Sequence, residues 1–292
     1  MDTYRIKATA AGGQLRAIGA ATTDIVRAAQ RAHGATPTAA AAMGRLMTAA
    51  AMLAADFKAG EILHCEVQGG GPAGRVIAEA FASGLVRGRL DHPEVDLPLR
   101  ADGKLAVGQA VGRQGWLLVE RRFPDGGRYV SHSPLVSGEI GDDVAEFLRQ
   151  SEQVPSAVAV GVLVGRDGAV AAAGGLVVQV LPPAPRELVE QVAARMEGLG
   201  SLSARLAAGE SVEAVGTAVL GPDTHWHARQ PLYFGCTCSR DRSGELLAAL
   251  SAEERRAMAE QGGAEVVCHY CRTAYRFDAR ELLADLADKP AP

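Results

Sequence analysis

Hydrophobic and polar positions fall into three regimes along this chain. Residues 4–10 and 14–20 alternate on either side of Ala11-Gly12-Gly13, the pattern of two strands around a glycine turn. Thr22 or Thr23 can cap a helix running to His33 and stopping at Gly34. Thr36-Pro37 opens a second helix, whose run 39–58 is nearly all good helix formers and closes at Gly60. Met43, Leu46, Met47, Met52 and Leu53 are its core positions. Strand patterns follow at 62–67, 75–80, 85–90, 104–111, 116–123 and 128–131, with Pro124-Asp125-Gly126-Gly127 as a turn. Ser137-Gly138-Glu139-Ile140 begins a helix reaching Gln150 with acidic residues in its first turns. Apolar strands at 156–164 and 169–181 flank the hairpin signal Gly165-Arg166-Asp167-Gly168.

Pro182-Pro183-Ala184-Pro185 then ends the strand regime. Beyond it Leu188, Val189, Val192 and Met196 share one face of a helix over 186–197, and 202–208 and 212–220 are similar short pieces. Such pieces are too short to stand alone and must lie against something, the first domain being the natural partner. The third regime is polar, with Ser243 or Ser251 as helix caps and Tyr270, Tyr275 and Phe277 as a small core. The expected fold is α+β, with a mixed sheet and helix domain over 1–181, a metastable helical linker over 182–231, and a small zinc-binding domain over 232–292.

Composition narrows the classes. At 292 residues, 48% hydrophobic and 22% charged, the chain is an ordinary globular protein with room for a large domain and a small one. A net charge of −4 and 4% aromatic residues supply neither a basic footprint nor a stacking surface for nucleic acid. The alanine-rich run 39–55 is interrupted by Arg45 and too short to span a bilayer. Met1-Asp2 opens onto a polar strand and not a secretory signal, so a soluble cytoplasmic protein is expected.

Candidate chemistry sits in the third regime. Four of the five cysteines form Cys236-Thr237-Cys238 and, 29 residues on, Cys268-His269-Tyr270-Cys271. Two such pairs read as one four-thiolate metal site, and zinc takes four thiolates tetrahedrally. C-x-x-C is a common knuckle spacing. C-x-C leaves two sulfurs close enough to join each other, which hints at redox work. A structural zinc ribbon, a redox site and a permanent disulfide framework all fit the spacing. The last sits poorly with a cytoplasmic chain. Some fifty residues with so little core would fold only with metal bound.

Other motifs carry structural readings. Cys65 stands on a strand beside His64, on the opposite face, and reads as a small buried hydrophobe. The run Gln68-Gly69-Gly70-Gly71-Pro72 has no Gly-Lys-Ser/Thr ending and reads as a hairpin turn. His225-Trp226-His227 reads as a loop or linker contact.

The cysteine motifs, Ser137-Gly138-Glu139-Ile140, Ser151-Glu152-Gln153, Pro155-Ser156-Ala157-Val158, the glycine turn at 68–72 and Ala172-Ala173-Gly174-Gly175 together resemble the redox-regulated thirty-three-kilodalton heat-shock chaperone family, over nearly the whole chain. The resemblance implies an ATP-independent holdase without enzymatic activity. When reduced it would be inactive and hold Zn2+ through Cys236, Cys238, Cys268 and Cys271. On oxidation Cys236 would join Cys238, Cys268 would join Cys271, zinc would leave, and the zinc domain and linker would unfold. The exposed apolar surface would then hold unfolding client proteins, and the active form would tend to a homodimer. Cys65 matches no switch cysteine. The alanine-rich second helix departs in composition from the family pattern.

Two rival classes remain on sequence. A zinc-ribbon nucleic-acid or ribosome-binding protein would use Arg240, Arg242, Arg255, Arg256, Arg272, Arg276 and Arg280, but acidic residues interleave with them. A zinc enzyme would keep an open coordination position, whereas this ligand set is closed.

Overall fold

A computed structural model describes residues 2–284; the expected reach of the C-terminal domain over 285–292 lies outside them. The chain divides into two compact units, Met1–Gly235 and Cys236–Pro292.

In the first unit, strands β1 (Tyr4–Ala10) and β2 (Leu15–Ala21) precede helices α1 (Thr23–His33) and α2 (Pro37–Leu53). Next come β3 (Ile62–Gly70), β4 (Val76–Phe81), β5 (Leu85–Leu90), a short α3 (Val107–Val111), β6 (Gly112–Arg122) and β7 (Arg128–Pro134). Then follow α4 (Gly141–Gln150), β8 (Ser156–Val164), β9 (Val170–Val180), α5 (Arg186–Glu197), α6 (Leu202–Ala207) and α7 (Val212–Leu220). Three two-residue strands, β10 (His225–Trp226), β11 (Gln230–Pro231) and β12 (Tyr233–Phe234), end the unit. One sheet runs β10-β1-β2-β9-β8, with β11 also on β1; the other runs β12-β5-β4-β3-β6-β7. The expected α+β class is the one observed.

Helix α2 lies in the core that both sheets share, and every residue but Pro37, Arg45 and Leu53 is buried. A helix apolar all round is a buried helix. Alanine at 39–42 and 49–51 lets the layers close on it, while Met43, Leu46, Met47 and Met52 fill the remaining space. That packing accounts for its unusual composition. Thr36 caps it by accepting from the Ala39 amide, and it ends at Leu53, short of the expected 58. Gly34 closes α1 in the left-handed region at φ 59°, which glycine adopts without strain.

Strand and helix differ from expectation at 104–111 and 137–140. Val107–Val111 is helical, and three backbone segments crowd beside its C-terminal end. A Cβ on Gly69 would stand 2.4 Å from the Gly112 carbonyl oxygen, and one on Gly138 would stand 2.3 Å from the same atom. The glycine run at 68–72 is therefore a close-packed strand end and turn, filled by main chain, and it offers no phosphate cradle. Residues 137–140 are not helical. They wrap the buried Asp143 carboxylate, which accepts from the amides of Val136, Ser137, Gly138 and Ile140 at 2.8–3.3 Å. Satisfying a buried charge with oriented amides outweighs one more helical turn.

Helices α5, α6 and α7 pack on the other face of the β1-β2-β9-β8 sheet. Val192, Leu202, Leu206, Val212, Val215 and Val219 bury there against Ile6, Ala17, Leu176 and Val178. Leu188 and Met196 are partly buried in that cluster, but Val189 is 42% exposed and belongs to the solvent side of α5. His225 and Trp226 form a strand on β1 and not a loop.

The second unit holds α8 (Arg240–Ala248), α9 (Ala252–Glu260), the hairpin β13 (Ala264–Val267) and β14 (Ala274–Phe277), and α10 (Ala279–Leu283). Ser239, rather than Ser243, caps α8, and Ser251 caps α9 with Glu254 closing the capping box. Among its described residues the buried apolar side chains are Leu247, Phe277 and Leu282. Tyr275 packs beside them; Tyr270 is outside that cluster.

Candidate metal centre

Each cysteine pair sits on a tight local structure. Cys268 leaves β13 and its amide donates to the Thr273 carbonyl at 2.9 Å, while the Arg272 amide returns to the Cys268 carbonyl at 2.9 Å. Arg272 takes φ 61° to close that turn, so Cys268 and Cys271 point the same way. The other pair enters α8, where the Ser239 cap follows Cys238 directly and the Arg242 guanidinium donates to the Thr237 carbonyl at 2.8 Å. A helix N-terminus favours negative charge, so the loop before α8 suits a thiolate.

The four sulfurs meet within 4.8 Å of one another. Cys236 Sγ lies 3.5 Å from Cys268 Sγ, and Cys238 Sγ lies 3.4 Å from Cys271 Sγ. Four sulfurs ~2.3 Å from one ion in a tetrahedron stand about 3.8 Å apart, a separation this cluster brackets. Soft sulfur donors without carboxylate neighbours suit zinc better than calcium or magnesium. The residues thus fit a single tetrahedral metal ion.

Two neighbours shape the sulfurs. The Tyr275 hydroxyl is 3.2 Å from Cys238 Sγ, and the Thr273 hydroxyl is 3.2 Å from Cys271 Sγ. Burial beside the other sulfurs pushes the Cys238 thiol up to about 12. Burial also opposes ionisation of Cys271, but the Thr273 hydroxyl and amide outweigh it and bring that thiol down to about 7. The two sulfurs 3.4 Å apart interact directly, and the Thr273 contacts favour the charged form at Cys271. A thiolate is both the metal-binding and the oxidant-reactive form of cysteine. Thr273 and Tyr275 carry no sequence signature as sulfur neighbours beyond their places two and four residues after Cys271.

Cys65 stands apart. It is 1% exposed inside the first unit, and burial pushes its thiol up to about 12. His64 on the opposite face of β3 contacts Glu79 at 3.1 Å instead. His225 and His227 stack edge to face. Among the described residues, only the four C-terminal cysteines group as metal ligands, and no helix is long and apolar enough to cross a membrane.

A family model described as Hsp33 protein matches residues 3–278. The chain belongs to the Hsp33 family. Its relatives in that chaperone family include a 33 kDa chaperonin of Thermus thermophilus, 43% identical and covering 98% of this chain and 87% of that one. The 33 kDa chaperonin of Bacillus subtilis is 40% identical over 96% of both chains. A crystal structure of the Thermotoga maritima 33 kDa chaperonin superposes with a TM-score of 0.91 at 31% identity, covering 99% of this chain and all of that one. This Hsp33-family chain thus shares both sequence and architecture with chaperones along nearly all of its length, and its four-cysteine cluster is consistent with zinc and with redox-active thiols.

Proposed function

We propose that this protein is a redox-regulated, ATP-independent holdase whose reduced, inactive form carries Zn2+ on Cys236, Cys238, Cys268 and Cys271. The observation that carries the reading is a closed four-sulfur cluster in a unit with only three buried apolar side chains among the described residues. A core that small cannot hold some fifty residues folded, so the sulfurs and a bound ion must do so. The ion when bound would cross-link the C-x-C loop to the C-x-x-C knuckle. Structural zinc contributes on the order of 10–16 kcal/mol, comparable to the stability of an entire domain.

Oxidation consumes the same thiolates that would hold the metal. Two thiolates give two electrons to a peroxide or to hypochlorous acid and form a disulfide, which no longer coordinates. Cys236 with Cys238, and Cys268 with Cys271, are the disulfides proposed, as the family resemblance implies. Loss of the unit would free the linker proposed over 182–231, whose Val192, Leu202, Leu206 and Val212 cover an apolar sheet face. That face would hold unfolding clients at about 25 cal/mol per Å2 of contact, less the cost of ordering them. Cytoplasmic action, no catalytic turnover and dimerisation on oxidation complete the proposal.

The nucleic-acid reading is weakened by where the basic residues go. Arg240 pairs with Glu281 and stacks on Phe277, Arg276 pairs with Glu265, and Arg255 donates to the Leu282 carbonyl. The deciding experiment follows zinc release and client light scattering in parallel for reduced, peroxide-oxidised and re-reduced protein. Suppression by the oxidised form alone supports the switch. Equal suppression by both forms removes it, and no suppression with a salt-dependent RNA shift installs the rival.

A further inference from the structure

The sheet face under α6 and α7 is pitted with glycines, and side chains of the two helices sit in the pits. Gly19 on β2, Gly161 on β8 and Gly174 on β9 share that face, and Gly161 and Gly174 are cross-strand partners. A Cβ on Gly19 would stand 2.3 Å from Val212 Cγ1, with Ile6 next at 3.7 Å. For a Cβ on Gly161 the three nearest atoms all belong to Ser203, at 2.9 Å for its hydroxyl and 3.3 Å for its amide nitrogen. A Cβ on Gly174 would stand 2.4 Å from Leu206 Cδ1. None of the three needs glycine for its backbone angles, since none has positive φ. They are needed for room alone. Val212, Ser203 and Leu206 are the residues that fill it, each 5% exposed or less.

We propose that Gly19 and Gly161 are positioning residues. They are sockets that fix the register of α7 and α6 on the sheet and so set how readily this segment lets go. That consequence, though not the docking itself, rests on the reading of 182–231 as the releasable linker. Methylene-sized intrusions into well-packed contacts displace whatever can move. At Gly19 and Gly161 the movable partner is the overlying helix, not the strand's own neighbours. Gly174 is a poorer probe, because a Cβ there also meets the Ala20 carbonyl at 2.7 Å, within the sheet.

The test is amide exchange in the full-length, reduced, zinc-loaded protein. Gly19→Ala and Gly161→Ala should each speed exchange across 202–220 by about tenfold or more, with α2 protection and bound zinc unchanged. Trp226, whose indole N–H donates to Thr217 of α7 at 3.0 Å, should become more open to acrylamide quenching. Val212→Ala empties the Gly19 socket's occupant. Combined with Gly19→Ala it should therefore cost less protection than the two single changes added together. Exchange across 202–220 within twofold of the parent in both glycine variants overturns the proposal. So does simple additivity in the double variant, or loosening of α2 to the same extent, which would make these glycines supports of the sheet itself. Failure of the oxidised parent to protect a client would instead refute the redox reading and leave the exchange result standing.

Discussion

The two units reach the folded state by different routes. Met1–Gly235 closes two sheets over a buried helix. Cys236–Pro292 has, among its described residues, three buried apolar side chains and four clustered cysteine sulfurs. The first is stabilised by area removed from water, which oxidants do not touch. On the proposed reading, the second concentrates its stability in four atoms that one class of reagent attacks. A protein that must lose one part and keep the other benefits from placing those two kinds of stability in separate units.

The largest expected effect breaks that contrast most directly. Chelation of the reduced protein should remove on the order of 10–16 kcal/mol from 236–292. Amide protection there should vanish while α2 stays protected; simultaneous loss in α2 would show that the units do not stand apart. Next, Leu46→Ala should cost the first unit about 2–5 kcal/mol, read as a lower urea midpoint, because Leu46 is fully buried. Zinc affinity should not change, and a parallel loss of metal would again defeat the separation.

Glu79 offers a smaller, pH-dependent effect. Burial opposes its ionisation, but His64 and Arg87 outweigh that and hold its carboxyl down to about 2, against an ordinary 4.5, with Arg122 also in contact. Because the folded value is the lower one, the stabilisation is present above 4.5 and is lost as pH falls from there toward 2. Glu79→Gln should cost on the order of 2–3 kcal/mol near neutrality and flatten the first unit's acid transition. An unchanged acid limb would refute the assignment. The smallest effect is Arg240→Ala, which removes an exposed pair with Glu281 and a stacking contact on Phe277. It should lower the stability of the metal-loaded second unit by only about 0.5–1 kcal/mol, read from its melting. A loss several times larger would mean that this unit leans on its surface charges more than on its sulfurs.

Much of this was legible in the residues, for local reasons. Thr36-Pro37 and Gly34 punctuate helices through capping chemistry that needs no tertiary partner. The 165–168 turn and its two apolar strands followed from alternation and glycine. The convergence of Cys236, Cys238, Cys268 and Cys271 was legible because tight pairs have few other uses. What escaped depended on distant neighbours. Val107–Val111 carries a strand-like pattern, but it is a short helix whose Val107, Ala110 and Val111 are buried in the core, a packing set by distant neighbours. Residues 137–140 looked like a helix start, and the Asp143 carboxylate drew their amides elsewhere. Val189 matched the apolar stripe of α5, yet the sheet reaches only as far as Leu188, Val192 and Met196. Arg5 gave no sign of being 2% exposed; its guanidinium donates to Gln230 and to the Ala51 and Ala82 carbonyls.

The burial of Cys65 has a practical corollary. With one thiol sealed in the first unit and four gathered in the second, the polypeptide contains its own reference electrode and its own sensor. A thiol-modifying reagent applied to the folded chain should leave Cys65 silent whatever the state of the other four. The fifth then serves as an alarm. Labelling at Cys65 marks molecules whose first unit has opened, and so separates a chain that has been switched from one that has been damaged.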